Sequence, residues 1–254
     1  MNSIDVIKYL ESYYPKTLAY EWDNVGLQVG TLNKKIKKCL ITLDVTKEVV
    51  KEAIDKKVQL IISHHPLLFK PLLSVQIDTP RGWIIHHLIK QDISVYSIHT
   101  NYDLATGGMN DEFAKILKIQ SPKLLDEEEN IGRYGEIEET SMTEFIQFVK
   151  KKLEIDQVRL IGSLDKTIKV VGISGGSGSA HLFQAKRKNC DVYLTGDVTY
   201  HTALDALQIG QCVLDIGHYA EKIFKKAIAS KLRVEFPEID FMISEMNTDP
   251  YLTI

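Results

Sequence analysis

At 254 residues, 44% of them hydrophobic and 26% charged, the chain has the composition of an ordinary globular protein and enough length for one large or two small domains. Thirty-one Lys and Arg against 34 Asp and Glu leave a formal charge of −3. This balance supplies no global attraction to nucleic acid, and the basic clusters KKIKK (34–38) and KRK (186–188) read as solvated faces.

The opening MNSIDVIKYLESYYPKTL reads as an amphipathic helix with Ser3 as its N-cap, not as a leader or a membrane span, so neither secretion nor membrane insertion is expected and a cytoplasmic setting is. Cys39, Cys190 and Cys212 are odd in number, far apart and set in apolar runs, which fits buried free thiols. From Lys37 the hydrophobic pattern alternates between short apolar runs and helical ones. CLITLDVT is a strand, KEVVKEAIDKK a helix, VQLIISHH a strand, RGWIIHHLIKQ a helix, ISVYSIHTNYD a strand and MNDEFAKILKI a helix. That order predicts a parallel sheet with right-handed crossovers.

The acidic stretch DEEENIGRY (126–134) lacks apolar periodicity and reads as a linker or exposed loop. A helix over TSMTEFIQFVKKKL, capped by Thr140 or Ser141, and a strand over QVRLIG follow. Then the order repeats: IKVVGISGGSG, SAHLFQAKRKN, CDVYLTGDV, YHTALDALQIG, QCVLDIGH and YAEKIFKKAIASKL alternate strand and helix. LTGD stands where IISHH stood, and LDIGHYAE where YSIHTNYD stood. The pattern predicts two similar α/β lobes, residues 1–125 and 126–254. A last strand, IDFMISEMNTDP, has no counterpart in the first half and returns to one lobe or the other.

The strand ends carry the chemistry. A run that suits a strand buried on both faces ends on His64-His65-Pro66, and Pro66 cannot continue a ladder. In open α/β sheets ligands bind at that edge. His99 with Asp103, and His218 with Glu221, stand at equivalent ends. His218 and Glu221 converge if a helix starts near Gly217. Imidazole and carboxylate without thiolate select zinc, iron, manganese or nickel. Five or six donors exceed a single catalytic zinc and fit two ions roughly 3.5–4 Å apart. For His99 the two readings, ligand or orienter of a ligand, stand level. Adjacent His86 and His87 lie on different faces of a helical run and read as surface or helix-packing residues. GISGGSGSAH (172–181) offers Gly175, Gly176, Ser177 and Gly178 as an anion nest, or else as a sharp strand-to-helix turn without the lysine of a P-loop. EWDNVGLQVG reads mainly as structure, with Trp22 packed and Asp23 and Asn24 holding a turn.

EWDNVGLQVG, ISHHP, HTNYD, TGDVTYHTALDA and GHYAEK, in this order and spacing, resemble the GTP cyclohydrolase I type 2 family, also called NIF-three-like, over nearly the whole chain. Some members carry an extra domain inserted mid-chain, for which this chain is too short. The resemblance implies a two-lobed α/β fold with a dinuclear metal site in the cleft between the lobes, and a ring-shaped homohexamer. It implies His64, His65, Asp103, His218 and Glu221 as ligands of two divalent ions (zinc, iron or manganese), with Glu221 bridging. His201 and Asp197 also match family positions.

The implied reaction is hydrolytic: a metal-bridging hydroxide, formed near neutral pH, attacks C8 of GTP, formate leaves and dihydroneopterin triphosphate results. His99 or His201 would shuttle the protons. Two other readings remain open at this level: another binuclear hydrolase, such as a phosphoesterase, and a non-enzymatic metal-binding or interaction protein that forms a ring. The partners expected are a nucleotide-like small molecule and further copies of the chain, with no membrane and no nucleic acid.

Overall fold

The computed structural model describes residues 1–252. In chain order the elements are α1 (Ser3–Tyr13), β1 (Gly26–Val29), β2 (Lys38–Thr42), α2 (Lys47–Asp55), β3 (Leu60–Ser63), α3 (Pro80–Lys90), β4 (Ser94–Ser97), α4 (Thr100–Leu104) and α5 (Met109–Ile116). They continue with β5 (Gln120–Asp126), β6 (Ile131–Ser141), α6 (Met142–Leu153), β7 (Arg159–Ile161), β8 (Thr167–Ile173), α7 (Leu182–Arg187), β9 (Val192–Thr195), α8 (Tyr200–Gln208), β10 (Cys212–Asp215), α9 (Ile223–Glu235) and β11 (Asp240–Ile243). Every strand and helix expected from Lys37 onward is present.

The chain divides into two compact units, Met1–Ala105 with Phe224–Ile254, and Thr106–Ile223. Unit 1 holds a five-stranded sheet in the order β1-β4-β3-β2-β11. Strands β2, β3, β4 and β11 are mutually parallel, and β1 joins β4 antiparallel. β3 is buried at all four positions, as a parallel strand covered on both faces should be. On one face Val49, Val50 and Ala53 of α2 and Ile84, Ile85 and Leu88 of α3 pack with Leu40, Ile61 and Val95. The final strand β11 belongs here, paired with β2 from Asp240 opposite Lys38 to Ile243 opposite Ile41.

Unit 2 holds six strands in the order β5-β6-β8-β9-β10-β7. Its core gathers Leu125, Leu182, Ala185, Tyr193, Ala206 and Val213. The internal repeat is legible in the topology. The run β7-β10-β9-β8 has one antiparallel pair followed by two parallel ones, and so has β1-β4-β3-β2.

Of the two readings of the acidic 126–134 stretch, the exposed loop holds at Glu127–Asn130, which form an exposed turn, and the linker does not. The stretch contains the turn of the antiparallel β5–β6 hairpin, in which Asp126 Oδ1 accepts from the amides of Glu128 and Glu129 at 3.1 and 3.2 Å and Asn130 takes a left-handed φ of 54°. A carboxylate that ties down its own following backbone makes a turn, so charge here marks a hairpin tip. The expected division after residue 125 therefore falls inside β5. At the N-terminus Asn2, not Ser3, caps α1; Ser3 is buried and its hydroxyl donates to the carbonyl of Leu32 at 2.7 Å. Ser141 caps α6 in a capping box with Glu144. The three cysteines are buried and free, and burial pushes the Cys190 thiol up to about 12.

Candidate metal centre

Register brings the donors of unit 1 together. Thr42 pairs with Ser63 and Ser63 with Ser97, so the three strands finish level. Two residues past those ends stand Asp44, His65 and His99. The ladder also runs past the strands: the His64 amide donates to Thr42 O at 3.3 Å, His65 to Leu43 O at 3.0 Å and Ile98 to Ser63 O at 3.0 Å. Backbone hydrogen bonds thus hold both histidines of the pair, which explains why a buried strand ends on them.

Each ring is held at Nδ1. His64, fully buried, has Nδ1 2.9 Å from the carbonyl of Ile98. His65 Nδ1 lies 2.7 Å from Asp44 Oδ1, and Asp44 Oδ2 accepts from Thr248 Oγ1 at 2.6 Å. His99 Nδ1 lies 3.0 Å from Asp23 Oδ1, while Asp23 Oδ2 accepts from the Thr100 amide and hydroxyl at 3.1 and 2.5 Å. A carbonyl or a carboxylate can only accept, so each neutral ring keeps its proton on Nδ1 and its lone pair on Nε2. His64, His65 and His99 together offer ligand atoms within 4.8 Å of one another, and Asp103 Oδ1 stands 3.6 Å from His64 Nε2. Burial pushes the Asp23 and Asp44 carboxyls up, but the hydrogen bonds from His99 and His65, with those of the threonines behind them, leave both below the ordinary carboxylate range.

Unit 2 carries the second pair. Gly217, with φ +73°, opens a 3-10 turn over His218–Lys222. In such a turn side chains three apart eclipse, and His218 Nε2 accordingly meets Glu221 Oε2 at 3.2 Å. His218 Nδ1 lies 2.6 Å from Asp197 Oδ2. A neutral ring donates to one carboxylate only, which leaves the Nε2 lone pair facing Glu221, itself 3% exposed. A lone pair aimed at a carboxylate is satisfied by a cation set with both. The donor chemistry of both units, imidazole Nε2 beside carboxylate with a hydrogen-bonded Nδ1 behind it, fits a divalent metal.

The glycine loop has a definite neighbour in the same unit. A Cβ on Gly175 or Gly176 would come 3.2 or 2.7 Å from Glu221 Oε1. The Gly175 amide donates to Asn110 Oδ1 at 3.0 Å and that of Gly178 to Thr195 Oγ1 at 2.9 Å. Two of the four groups expected to cradle a phosphate, Gly175 and Gly178, thus spend their amides inside the protein, and α7 behind them is six residues long. Of that set, Gly176 and Ser177 are left for an anion. The loop gives close backbone passage beside Glu221. His181, at the end of the same segment, has Nδ1 2.9 Å from Asp126 Oδ2.

Of the remaining sequence candidates, His201 is exposed on the first turn of α8, edge-on to Tyr200, and joins no metal-type group among the described residues. Trp83 stacks on His87 at 3.7 Å, a packing role as expected. Trp22 departs from its reading as a packed residue: it is 59% exposed. Asp44 was missed and Asp23 was read only as a turn residue. The signal was available for Asp44, which lies at the same edge of the sheet as the histidines, two residues past the end of β2.

These features define the class: a two-unit α/β protein whose sheets end in histidine and carboxylate groups suited to divalent cations. Residues 1–250 match the family described as Duf34/NIF3 (NGG1p interacting factor 3), and the chain belongs to it. A Streptococcus pneumoniae protein named GTP cyclohydrolase 1 type 2 homolog is 40% identical, covering 99% of both chains, and a Lactococcus lactis protein of the same name is 38% identical over the full length of both. A Bacillus subtilis relative of that name, 31% identical, aligns over 366 positions, so it carries sequence that this chain lacks. Among solved structures, a Bacillus cereus protein related to NIF3 superposes with a TM-score of 0.95 at 29% identity, covering 100% of this chain and 99% of the other. The Staphylococcus aureus protein SA1388 does so with 0.93 at 32% identity and the same coverage.

Proposed function

We propose that the chain is a dinuclear metal-dependent hydrolase of the GTP cyclohydrolase 1 type 2 kind, converting GTP and water to formate and dihydroneopterin triphosphate. The observation that carries the reading is the gathering of metal-type donors within unit 1, where ligand atoms of His64, His65 and His99 lie within 4.8 Å of one another and Asp103 Oδ1 stands 3.6 Å from His64 Nε2. The names of full-length relatives at 38–40% identity, GTP cyclohydrolase 1 type 2 homolog, support the choice of reaction.

The ligands of this proposal are His64, His65 and Asp103 in unit 1 and His218 and Glu221 in unit 2. Two divalent ions bound there would act as Lewis acids and bring the pKa of a coordinated water to about 7. The chain's own residues supply orientation and proton transfer. Asp44 and Asp197 fix the ring planes of His65 and His218. His99, with Nδ1 fixed by Asp23, is the group proposed to take up and return protons at Nε2.

The test is formate release from GTP by protein loaded with zinc, manganese or iron(II), together with the metal content per chain and a His65→Ala variant. The expected result is about two metals per chain and metal-dependent formate that disappears in the variant. Two bound metals with no formate under any loading would refute the cyclohydrolase assignment and favour another binuclear hydrolysis, such as phosphoester cleavage. Failure to bind metal at all would refute the centre itself.

A further inference from the structure

Trp22 and its surroundings are the part of unit 1 that the proposed chemistry leaves unused. The indole is 59% exposed and Phe69, 5.9 Å away and edge-on, is 44% exposed. Tyr20 stacks against the indole with ring centres 5.4 Å apart and planes at 21°, so the ring is backed on one side. The rings of Trp22 and Phe69 stand 6.3 and 6.2 Å from that of His99. An aromatic platform thus begins one ring away from the three-histidine cluster.

The platform is fixed in place. Asn24 Nδ2 donates to Leu68 O at 2.6 Å, the Leu68 amide donates to Gln28 Oε1 at 3.1 Å, and Gln28 Nε2 donates to Asn24 O at 2.7 Å. This ring of hydrogen bonds ties the Trp22 loop to the Phe69 loop. Asp23, next to Trp22, holds His99 Nδ1. One short segment therefore orients a histidine of the cluster and presents a large flat ring beside it. A tryptophan serving only to pack would bury its area. An indole held rigid while largely exposed is the usual platform for a planar ligand, because stacking is sequence-tolerant and costs little side-chain entropy.

We infer that Trp22, backed by Tyr20 and flanked by Phe69, is the stacking surface for the planar heteroaromatic ring of the substrate, a purine base presented edge-on to the histidine cluster. The inference rests on the metallohydrolase reading for its substrate, and its test is independent of turnover. The chain has two tryptophans and 11 tyrosines, so Trp83→Phe, in α3, leaves Trp22 as the sole tryptophan, whose emission is excited selectively over that of the tyrosines. The Trp83→Phe protein is titrated with guanosine, adenosine, GTP and inorganic triphosphate.

Saturable quenching by the nucleosides and by GTP, and none by triphosphate, is the expected result. By calorimetry, Trp22→Ala should weaken GTP binding roughly ten-fold or more, while Trp22→Phe stays within about three-fold of the parent. Metal content should match the parent in both variants. Absence of quenching by any nucleoside, or unchanged GTP affinity in Trp22→Ala, would overturn the assignment. A change in the mass of the assembly in Trp22→Ala with ligand affinity intact would overturn it too, in favour of contact with a second copy. Loss of metal or of formate release with the quenching retained would count against the hydrolase and leave the stacking surface standing.

Discussion

Gly176→Ala, read beside Gly107→Ala, separates backbone cost from damage to the proposed centre. Both glycines have left-handed φ, +58° and +74°, where an L residue costs about 1–2 kcal/mol. A Cβ on Gly107 meets nothing within 4 Å, whereas one on Gly176 meets Glu221 Oε1 at 2.7 Å, Glu221 Cδ at 3.4 Å and His218 Nε2 at 3.6 Å. To regain ordinary contact the carboxylate must retreat by roughly 1 Å. Glu221 is 3% exposed, so it has no open space into which to swing. Both variants should lose about 1–2 kcal/mol in urea unfolding of the metal-free protein, with Gly176→Ala the weaker of the two. In chelator competition with zinc, Gly107→Ala should match the parent. Gly176→Ala should bind roughly 10- to 100-fold more weakly, the loss typical when a ligand's support is disturbed. Equal zinc affinity in the two variants would show that Glu221 is not a ligand held by this loop, and the unit 2 half of the proposal would fall.

Asp44→Ala removes the acceptor for His65 Nδ1 and for Thr248 Oγ1, and should lower metal affinity roughly 10- to 100-fold; Asp44→Asn, which keeps an oxygen for the ring, should fall between, and parental affinity in Asp44→Ala would contradict the orienting role. Glu52 takes hydrogen bonds from Lys56 Nζ at 2.7 Å, the Glu245 amide at 3.0 Å and Ser244 Oγ at 2.5 Å. Burial pushes its carboxyl up, but these donors outweigh it and leave the folded value below the ordinary one. Its stabilisation is therefore complete above the unfolded value of about 4.3 and fades as pH falls through the lower folded value. The urea-unfolding difference between the parent and Glu52→Gln should accordingly be largest at neutral pH and shrink below about pH 4; a gap that widens in acid would reverse the sign argued here. Arg133 meets Asp111 through Nε at 2.6 Å and Nη2 at 2.9 Å, with its side chain 7% exposed. Arg133→Ala should cost about 1–3 kcal/mol, because Asp111, whose side chain is 23% exposed, then keeps only the Gly107 amide at 2.6 Å, and Arg133→Lys should restore only part because a point charge cannot make the forked contact; a loss under about 0.5 kcal/mol would show that water replaces the arginine.

What the sequence discloses about this fold and what it hides follow from range. The alternation of LIIS, SVYS, VYLT and CVLD with amphipathic helices is local, and each became the strand expected. The hairpin of β5 and β6 stayed hidden because its tip is a run of acids, and charge density there resembles that of a linker. Only the Asx hydrogen bonds of Asp126 tell the two apart. Histidines at strand ends are visible as letters, but their orienting carboxylates come from 21 residues away in His65–Asp44, 76 in His99–Asp23 and 21 in His218–Asp197. Nothing in local pattern links such partners. Trp22 misled for a different reason: large aromatics are usually well buried, so an exposed one is read as packed until the surface is seen.

The internal repeat supplies the missing link. In unit 2 the register sets Ile173 opposite Leu194 and Leu194 opposite Leu214, with Thr195 opposite Asp215. One residue past that row on β8 is Ser174, level with Thr195 and Asp215. Two residues further the positions are Gly176, Asp197 and Gly217, which correspond to Asp44, His65 and His99 of unit 1. The first half places a carboxylate on the β2 end and imidazoles on the β3 and β4 ends. The second places its carboxylate on the middle strand, and its imidazole one residue late past β10, with glycine at the other two positions. Those glycines have neighbours that explain them: Gly176 runs under Glu221, and Gly217 turns the chain so that His218 faces Asp197. The same pairing of ring and carboxylate thus recurs on different strands of two equivalent sheet edges. A substitution that placed a side chain at Gly176 would match the first-half pattern only by displacing Glu221, whose Oε1 would stand 2.7 Å from the added Cβ.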